Sequence, residues 1–259
     1  MRPSPFESTA PYYDRFRAPY APEALDHIVA AFALDQSARV LDLGCGPGTI
    51  AIPLSHAAAE VVAVDPDAGM LGEGRRLAAE RGRNNIRWVH AKAEDISPKL
   101  GRFRLATLAQ SFHWMQRDLV LERLSDIVED GGGLALINPG KRRPQESWEA
   151  VAGAVVRKYL GRRDRHPAAS PEPEHEPSLR RSVCFRSFTA VEFPSEITRD
   201  LASILGCLYS STGAAKPLFA DRAPAFEADL SEALLRLTPS GVFREPLETE
   251  VLIARKMIR

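Results

Sequence analysis

The residues best suited to chemistry in this chain are three glycines at alternate positions and an acid that follows them. Val40-Leu41-Asp42-Leu43 is a short apolar run that leads directly into Gly44-Cys45-Gly46-Pro47-Gly48. Glycine lets the backbone take positive φ and lets a ligand come close to the main chain. A dinucleotide-binding turn would read G-x-G-x-x-G, its last glycine being needed for close helix–strand packing. Here Thr49 stands at that position, and no Gly-Lys-Ser/Thr follows to make a phosphate-binding loop. The spacing therefore points to a nucleoside with an amino-acid-like tail rather than to a pyrophosphate. The alternative is a tight strand-to-helix turn without a ligand. In either case Pro47 stands where a following helix would begin, a place where its fixed φ costs little.

The second run, Glu60-Val61-Val62-Ala63-Val64, ends in Asp65, 21 residues beyond Gly44. An acid about 20 residues after the turn, at the end of the second strand of a βαβ unit, is placed to accept hydrogen bonds from ribose hydroxyls. It could instead cap the helix that starts after Pro66, a role equally open to Asp67. A third constellation is Gln110-Ser111-Phe112-His113-Trp114, just past a fourth apolar run. Loops beyond the carboxyl ends of parallel strands line the ligand crevice of such sheets. His113 is the only titratable group in that segment, and an unperturbed pKa of about 6.5 suits a general base near neutral pH. A histidine held by a backbone hydrogen bond fits the same pattern. Phe112 and Trp114 would help keep water out.

These motifs together resemble the class I S-adenosylmethionine-dependent methyltransferases, and within them the small-molecule group called type 11. The resemblance runs through most of the chain. It rests on Asp42 to Gly48, on Val64-Asp65-Pro66 with Met70 downstream, on Ala93-Glu94-Asp95 after a third strand, and on Gln110 to Trp114. It implies that Asp42, Gly44, Cys45, Gly46, Gly48, Asp65, Pro66, Met70, Ala93, Glu94 and Gln110 hold S-adenosylmethionine. Many relatives carry an acid two residues before the position of Glu94; this chain has Lys92 there. The adenine acceptor then falls to Glu94, Asp95 or a backbone carbonyl.

The implied activity is methyl transfer to an O, N or C nucleophile of a small, partly apolar acceptor, leaving S-adenosylhomocysteine, with His113 catalytic where a proton must be removed. A non-catalytic cofactor-binding regulator or partner subunit is the competing reading, and a nicotinamide-dependent oxidoreductase is a third. Tyr12, Tyr13, Phe16 and Tyr20 stand at spacings that could share a helical face and simply pack on the sheet, whereas the resemblance implies that this aromatic N-terminal segment, residues 1–35, folds over the cofactor as a helical lid. Tyrosine hydroxyls and Arg17 could then meet the cofactor's polar tail. A charged, proline-bearing stretch at 161–183, between the fifth and sixth strands, falls where such proteins insert substrate-facing elements, although a plain surface loop fits its composition too.

The elements that must position these residues alternate between strand and helix, which predicts a mostly parallel α/β sheet covered on both faces. Strands are expected at 39–43, 60–64, 86–91, 103–109, 132–138, 185–193 and 247–255, and seven is the number the resemblance implies for a Rossmann-like, doubly wound sheet. Helices are expected at 47–57, 67–81, 117–129 and 145–160 from apolar positions at helical spacing. Gly131-Gly132-Gly133 is expected to stop one helix and open the fifth strand. With 259 residues, 44% of them apolar, the chain can bury one large core, so residues 1–259 read as a single domain.

Formal net charge is zero, so no overall field draws the protein to nucleic acid or to an anionic membrane. Lys141-Arg142-Arg143 and Arg162-Arg163 read as solvated surface. Enzymes that methylate nucleic-acid amino groups carry an Asn/Asp-Pro-Pro-aromatic turn after the fourth strand. Gln110-Ser111-Phe112-His113 stands there, and Asn138-Pro139-Gly140 after the fifth strand lacks the aromatic. No run approaches the roughly 20 apolar residues that span a bilayer. The Arg- and Pro-containing start lacks a signal-peptide core. Cys45, Cys184 and Cys207 are scattered, without a C-x-x-C pair, which fits a reducing cytoplasm and no disulfide or metal framework. Cys45 reads as a small residue between glycines, and His166 and His175 as too isolated to bind a metal.

Overall fold

A computed structural model of the chain describes residues 9–139, 147–161 and 175–257. The strands are β1 (Arg39–Leu43), β2 (Glu60–Asp65), β3 (Ile86–His90), β4 (Phe103–Ala109), β5 (Val128–Pro139), β6 (Phe188–Arg199) and β7 (Phe243–Arg255). They form one sheet in the order β3-β2-β1-β4-β5-β7-β6. The β1 pairs with β2 and β4, the β2–β3 pair and the β4–β5 pair are parallel, and β7 lies antiparallel to β5. This is the seven-stranded, mostly parallel α/β sheet expected from the sequence. Strand order reverses between β1 and β4, and in open α/β sheets ligands sit at that switch point, outside the carboxyl ends of the strands.

Why both faces are covered follows from the period of two along each strand. Leu41, Leu43, Val62, Val64, Ala106 and Leu108 belong to one buried cluster, while Val40, Val61, Ala63, Leu105, Ala135 and Ile137 belong to another. Each strand therefore needs a helix on either side. Helix α5 (Arg117–Ile127) fills the first face with Val120, Leu121 and Leu124. Helices α2 (Pro22–Ala31), α3 (Ala51–Leu54) and α4 (Ala68–Glu80) fill the second with Ala24, Ile28, Leu54 and Leu71.

The described chain divides into two compact units. One comprises residues 20–140, 166–193 and 248–259; the other comprises residues 1–19, 141–165 and 194–247. The first holds both sheet-face clusters, together with α7 (Glu176–Arg181). The second is mainly helical, built from α1 (Ala10–Phe16), α6 (Trp148–Leu160), α8 (Leu201–Tyr209) and α9 (Ala223–Leu237). Its centre is aromatic: Phe219 and Phe226 stack with centroids 4.0 Å apart, and Tyr209 lies 6.3 Å from Phe226. The Arg199 side chain, 5% exposed, pairs with Glu245 and donates to the Phe16 carbonyl at 2.9 Å.

Several boundaries differ from expectation for identifiable reasons. The helix expected from Pro47 starts only at Ala51, because Gly48 has φ 86 and keeps the chain out of helical geometry; a 3-10 turn at Ser55–Ala57 completes the segment. Helix α5 stops at Ile127, and β5 already begins at Val128. Register shifts between the Phe103↔Val128 and Leu105↔Gly133 pairs, so the three glycines lie inside an irregular strand rather than between two elements. A Cβ on Gly132 would sit 2.5 Å from the Arg104 carbonyl oxygen and one on Gly133 2.3 Å from that of Ala254.

Helices α8 and α9, absent from the sequence reading, are well marked locally. Asp200 and Ser203 form a reciprocal capping box, and Phe226, Leu230 and Leu234 fall on one buried face of α9. The 161–183 stretch contains α7 at its end, with Leu179 buried in the sheet core. Residues 141–146 and 162–174, including both basic groups and His166, lie outside the described residues.

Two residues test this packing. A Cβ on Gly206 would sit 2.3 Å from the Phe16 ring, so Gly206→Ala should destabilise the protein by about 1–3 kcal/mol. The urea unfolding midpoint measures this, and an unchanged midpoint would mean that α1 shifts aside without cost. In the sheet, Asp42 is 1% exposed and accepts one hydrogen bond from the Thr107 hydroxyl at 2.7 Å, while Oδ2 has no partner among the described residues. Burial raises its pKa from 3.8 to about 7, against the Thr107 hydrogen bond. The folded state therefore binds more protons than the unfolded state between about pH 4 and pH 7, and stability falls as pH rises through that window. Asp42→Asn should remove that component, flattening the pH slope of the unfolding free energy by up to about 1.4 kcal/mol per pH unit. Parallel slopes in the two proteins would show that Asp42 keeps an ordinary pKa.

Candidate functional site

The site forms where β1, β2 and β4 end. Gly44, Gly46 and Gly48 all take left-handed conformations, with φ 65, 54 and 86, which side chains with a Cβ rarely adopt. Their surroundings differ. A Cβ on Gly44 would lie 2.4 Å from Cβ of Ser111, and one on Gly48 2.6 Å from the Trp88 indole, whereas one on Gly46 would meet nothing within 4 Å. Two of the glycines are thus demanded by packing, and the middle one opens onto free space.

Hydrogen bonds lace this turn to its neighbours. The Gly44 and Cys45 amides donate to the Val64 carbonyl at 2.8 and 3.1 Å. The Gly46 amide donates to Asp65 Oδ2 at 2.8 Å, and the Asp67 amide to Asp65 Oδ1 at 2.8 Å. On the other side the Ser111 hydroxyl donates to the Leu43 carbonyl at 2.7 Å. Asp67 is the residue that caps α4, accepting from the Met70 amide at 3.0 Å. Asp65 is therefore not the helix cap; it ties the glycine turn to the start of the following loop. Each of its oxygens has accepted one N–H bond from these amides, and a carboxylate oxygen can accept two. At 8% exposure Asp65 has its pKa raised by burial, opposed by the two amides. Burial, with Asp42 and Asp65 nearby, pushes the Cys45 thiol well above its usual range, so it is no nucleophile at neutral pH. The Thr49 hydroxyl, like Asp42 Oδ2, is buried without a partner among the described residues.

The other expected residues occupy the rim of the same strand ends. Pro66 is exposed and its carbonyl oxygen lies 2.9 Å from His90 Nε2. Met70 is buried in α4 at 3% exposure, and Ala93 is buried at 5%. Glu94 Oε1 accepts from the Gln116 amide at 2.8 Å. Gln110 takes φ 49, and its side-chain amide donates to the Tyr20 hydroxyl at 3.2 Å. Backbone held in a sparsely populated region marks functional loops often enough to draw notice to this residue. His113 is half-buried in a 3-10 turn at Phe112–Trp114, its ring 5.2 Å from that of Trp114.

The 1–35 segment divides between the two units. In the helical unit Tyr12 meets Tyr209 with ring centroids 5.6 Å apart, and Arg17 donates to the Ser210 carbonyl at 3.3 Å. Tyr20 belongs to the sheet unit, where it pairs with Gln110.

Two residues near the site escaped sequence reasoning as members of it. His175 Nε2 lies 3.1 Å from Asn138 Oδ1, and its ring is 5.5 Å from that of Phe112. Burial lowers its pKa to about 4, with the Arg117 and His113 charges adding to the effect. No spacing rule connects positions 37 residues apart; only the pairing of Asn138 at the end of β5 brings them together. Among the described residues no helix is long and apolar enough to cross a membrane, and no three His, Cys, Asp or Glu side chains are grouped to hold a metal ion.

Comparison with known proteins agrees with this geometry. Residues 40–132 match the family described as a methyltransferase domain. Uncharacterized methyltransferases of Mycobacterium bovis and Mycobacterium tuberculosis are 29% identical over 151 residues, which is 58% of this chain and 58% of theirs. A ubiquinone biosynthesis O-methyltransferase of Ruegeria pomeroyi is 30% identical over 125 residues, 48% of this chain and 50% of that protein. The chain thus spans little more than half the length of these curated relatives. A methyltransferase of Thiobacillus denitrificans, solved with S-adenosyl-L-homocysteine, shares the fold over all of both chains, with TM-score 0.56 and 20% identity. The likeness to a methyltransferase domain thus covers residues 40–132, the stretch that carries β1 to β4 and the glycine turn.

Proposed function

We propose that this protein binds S-adenosylmethionine at the glycine turn and transfers its methyl group to an O, N or C nucleophile of a small, partly apolar acceptor. The observation that carries the reading is the open space over Gly46, directly beside the buried carboxylate of Asp65 at the switch point of the sheet. The match of residues 40–132 to a methyltransferase domain and the S-adenosyl-L-homocysteine named with the Thiobacillus structure support the choice of cofactor.

Bound there, S-adenosylmethionine would supply an electrophilic methyl group on a sulfonium leaving group. The chain's own residues bind and align. The Asp65 oxygens, each with a lone pair beyond its Gly46 or Asp67 bond, accept from the ribose hydroxyls. Glu94 and the Ala93 turn would hold the adenine edge, and Gln110, whose side-chain amide donates to the Tyr20 hydroxyl, would contact the cofactor. Pro66 and Met70 shape the wall after β2, and Asp42 and Cys45 brace the turn from below. His113 takes the proton from acceptors that must lose one, while Phe112 and Trp114 exclude water. The acceptor is neither nucleic acid nor membrane-bound in this reading, which zero formal net charge supports. A cytoplasmic setting is supported by three unpaired cysteines.

Isothermal titration with S-adenosylmethionine tests the binding. Asp65→Ala should weaken affinity by about 1.5–3 kcal/mol, roughly tenfold to a hundredfold. Gly46→Ala has room for its Cβ and should fold with a strain of order 1 kcal/mol, yet lose affinity because the methyl group enters the cofactor's space. Wild-type affinity in both variants would remove the turn from the site.

Turnover is tested separately, by S-adenosylhomocysteine release against small-molecule pools. His113→Ala should slow it by a factor of about 10²–10⁴, typical of a lost general base, with cofactor affinity kept. Unaltered rates would return His113 to a packing role. Binding without release in any pool would leave a cofactor-dependent regulator.

A further inference from the structure

His175 stands between Glu174 and Glu176 in a charged, proline-bearing stretch that no motif marks as a site. Helix α7 fixes it in place: Ser178 and Leu179 are fully buried, the Leu179 amide donates to the His175 carbonyl at 3.3 Å, and Arg181 pairs with Asp118 at 3.2 Å. The imidazole is thereby set at the carboxyl ends of β4 and β5. Ala109 at the end of β4 pairs with Ile137, Gln110 donates to the Ile137 carbonyl, and the next residue, Asn138, holds His175 Nε2. Phe112 stands against the ring, and the charges of His113 and Arg117 reach it.

The protonation pattern follows from the partner. The Asn138 Oδ1 atom only accepts hydrogen bonds, so Nε2 carries the hydrogen. Burial beside a guanidinium favours the neutral ring over the imidazolium. One hydrogen in a neutral ring leaves Nδ1 with a bare lone pair. That atom is buried and has no partner among the described residues. A buried acceptor left unpaired is costly, by about 1–3 kcal/mol, unless a ligand supplies the missing donor.

We propose that His175 Nδ1 accepts a hydrogen bond from the methyl acceptor and that Asn138 is the positioning residue which sets its tautomer. The substrate class narrows accordingly to molecules whose nucleophile, or a group beside it, carries a hydrogen: alcohols, phenols and amines. Bare carbon nucleophiles are disfavoured. The two histidines then divide the work. His175 is too weakly basic to remove the proton and orients the nucleophile; His113 is the one that takes the proton. The inference rests on the methyl-transfer reading above for its substrate, but its tautomer does not depend on that reading.

Nitrogen-15 NMR of uniformly labelled protein at pH 7, with His175 assigned by comparison with His175→Gln, tests the tautomer. The expected spectrum is a neutral ring protonated at Nε2; an Nδ1–H tautomer or an imidazolium overturns the proposal. Phenol and anisole, added with S-adenosylhomocysteine present, test the lone pair. Phenol should shift the Nδ1 resonance and anisole should not; equal effects, or none from either, overturn it. On any acceptor that the pool screen yields, His175→Phe should raise KM at least about tenfold, the discrimination expected when a site's hydrogen bond is lost, with cofactor affinity unchanged. His175→Gln, whose amide oxygen can accept, should recover part of it. KM and kcat at wild-type values in His175→Phe also overturn it. Failure of the methyl-transfer reading registers differently, as absent S-adenosylmethionine binding or absent turnover in the wild type, and the tautomer and phenol results still decide this proposal.

Discussion

The pair of hydrogen bonds that Asp65 accepts from the Gly46 and Asp67 amides is the interaction on which the site depends. Parallel strands end with their loops emerging side by side, and the sheet ladder itself stops before it can order them. A carboxylate at the end of β2 reaches sideways to the turn after β1 and forward to the loop that starts α4, so one side chain sets two loops at once. The bonds are charge-assisted, which makes them stronger than neutral ones, and the one from Asp67 is buried. Burial also raises the cost of ionising Asp65, so the amides are needed to keep it a carboxylate. Once the turn is held, Asp67 is released to cap α4 and Ser111 to fasten the turn from the β4 side.

The glycines show how a binding turn separates approach from support. Ser111 closes over Gly44 and Trp88 over Gly48, so two of the three positions exclude a Cβ because protein already fills the space. At Gly46 no protein atom lies within 4 Å of an added Cβ, so only its left-handed backbone, φ 54, calls for glycine. The strained backbone of Gln110 and the buried Phe112 extend the same surface toward β4 and β5, where the orphaned ring nitrogen of His175 is found. Asp65, Gly46, Gln110 and Asn138 thus lie at the carboxyl ends of β2, β1, β4 and β5, four consecutive strands of one sheet, which fixes their spacing more tightly than flexible loops would.

Much of the sheet could be read from the residues because parallel strands covered on both faces appear as unbroken apolar runs: 39–43 and 103–109 agree to the residue. The glycine turn and Asp65 were visible for the same reason, being anchored at strand ends. What escaped reading depends on pairing across the fold. The glycines at 131–133 look like a boundary locally, and only the shifted register of β5 against β4 makes them part of a strand. Helix α3 begins late because Gly48 commits to positive φ, which Pro47 in the sequence conceals. Asp65 and Asp67 could not be told apart as helix caps until their amide partners were seen. His175 has no local signature at all, since its chemistry comes from Asn138.

The sheet order carries a consequence for biosynthesis. Strands β2 to β5 can pair as they leave the ribosome, each finding a neighbour already made. Strand β6 cannot, because its one partner in the sheet is β7, which arrives after the whole stretch from Arg199 to Phe243. Until then β6 stays an unpaired strand, the kind of edge that invites association between nascent chains. Pro194 and the exposed Glu192 and Glu196 within it are the residue types that blunt such edges. The last strand added is therefore the one that closes the fold's most vulnerable interval.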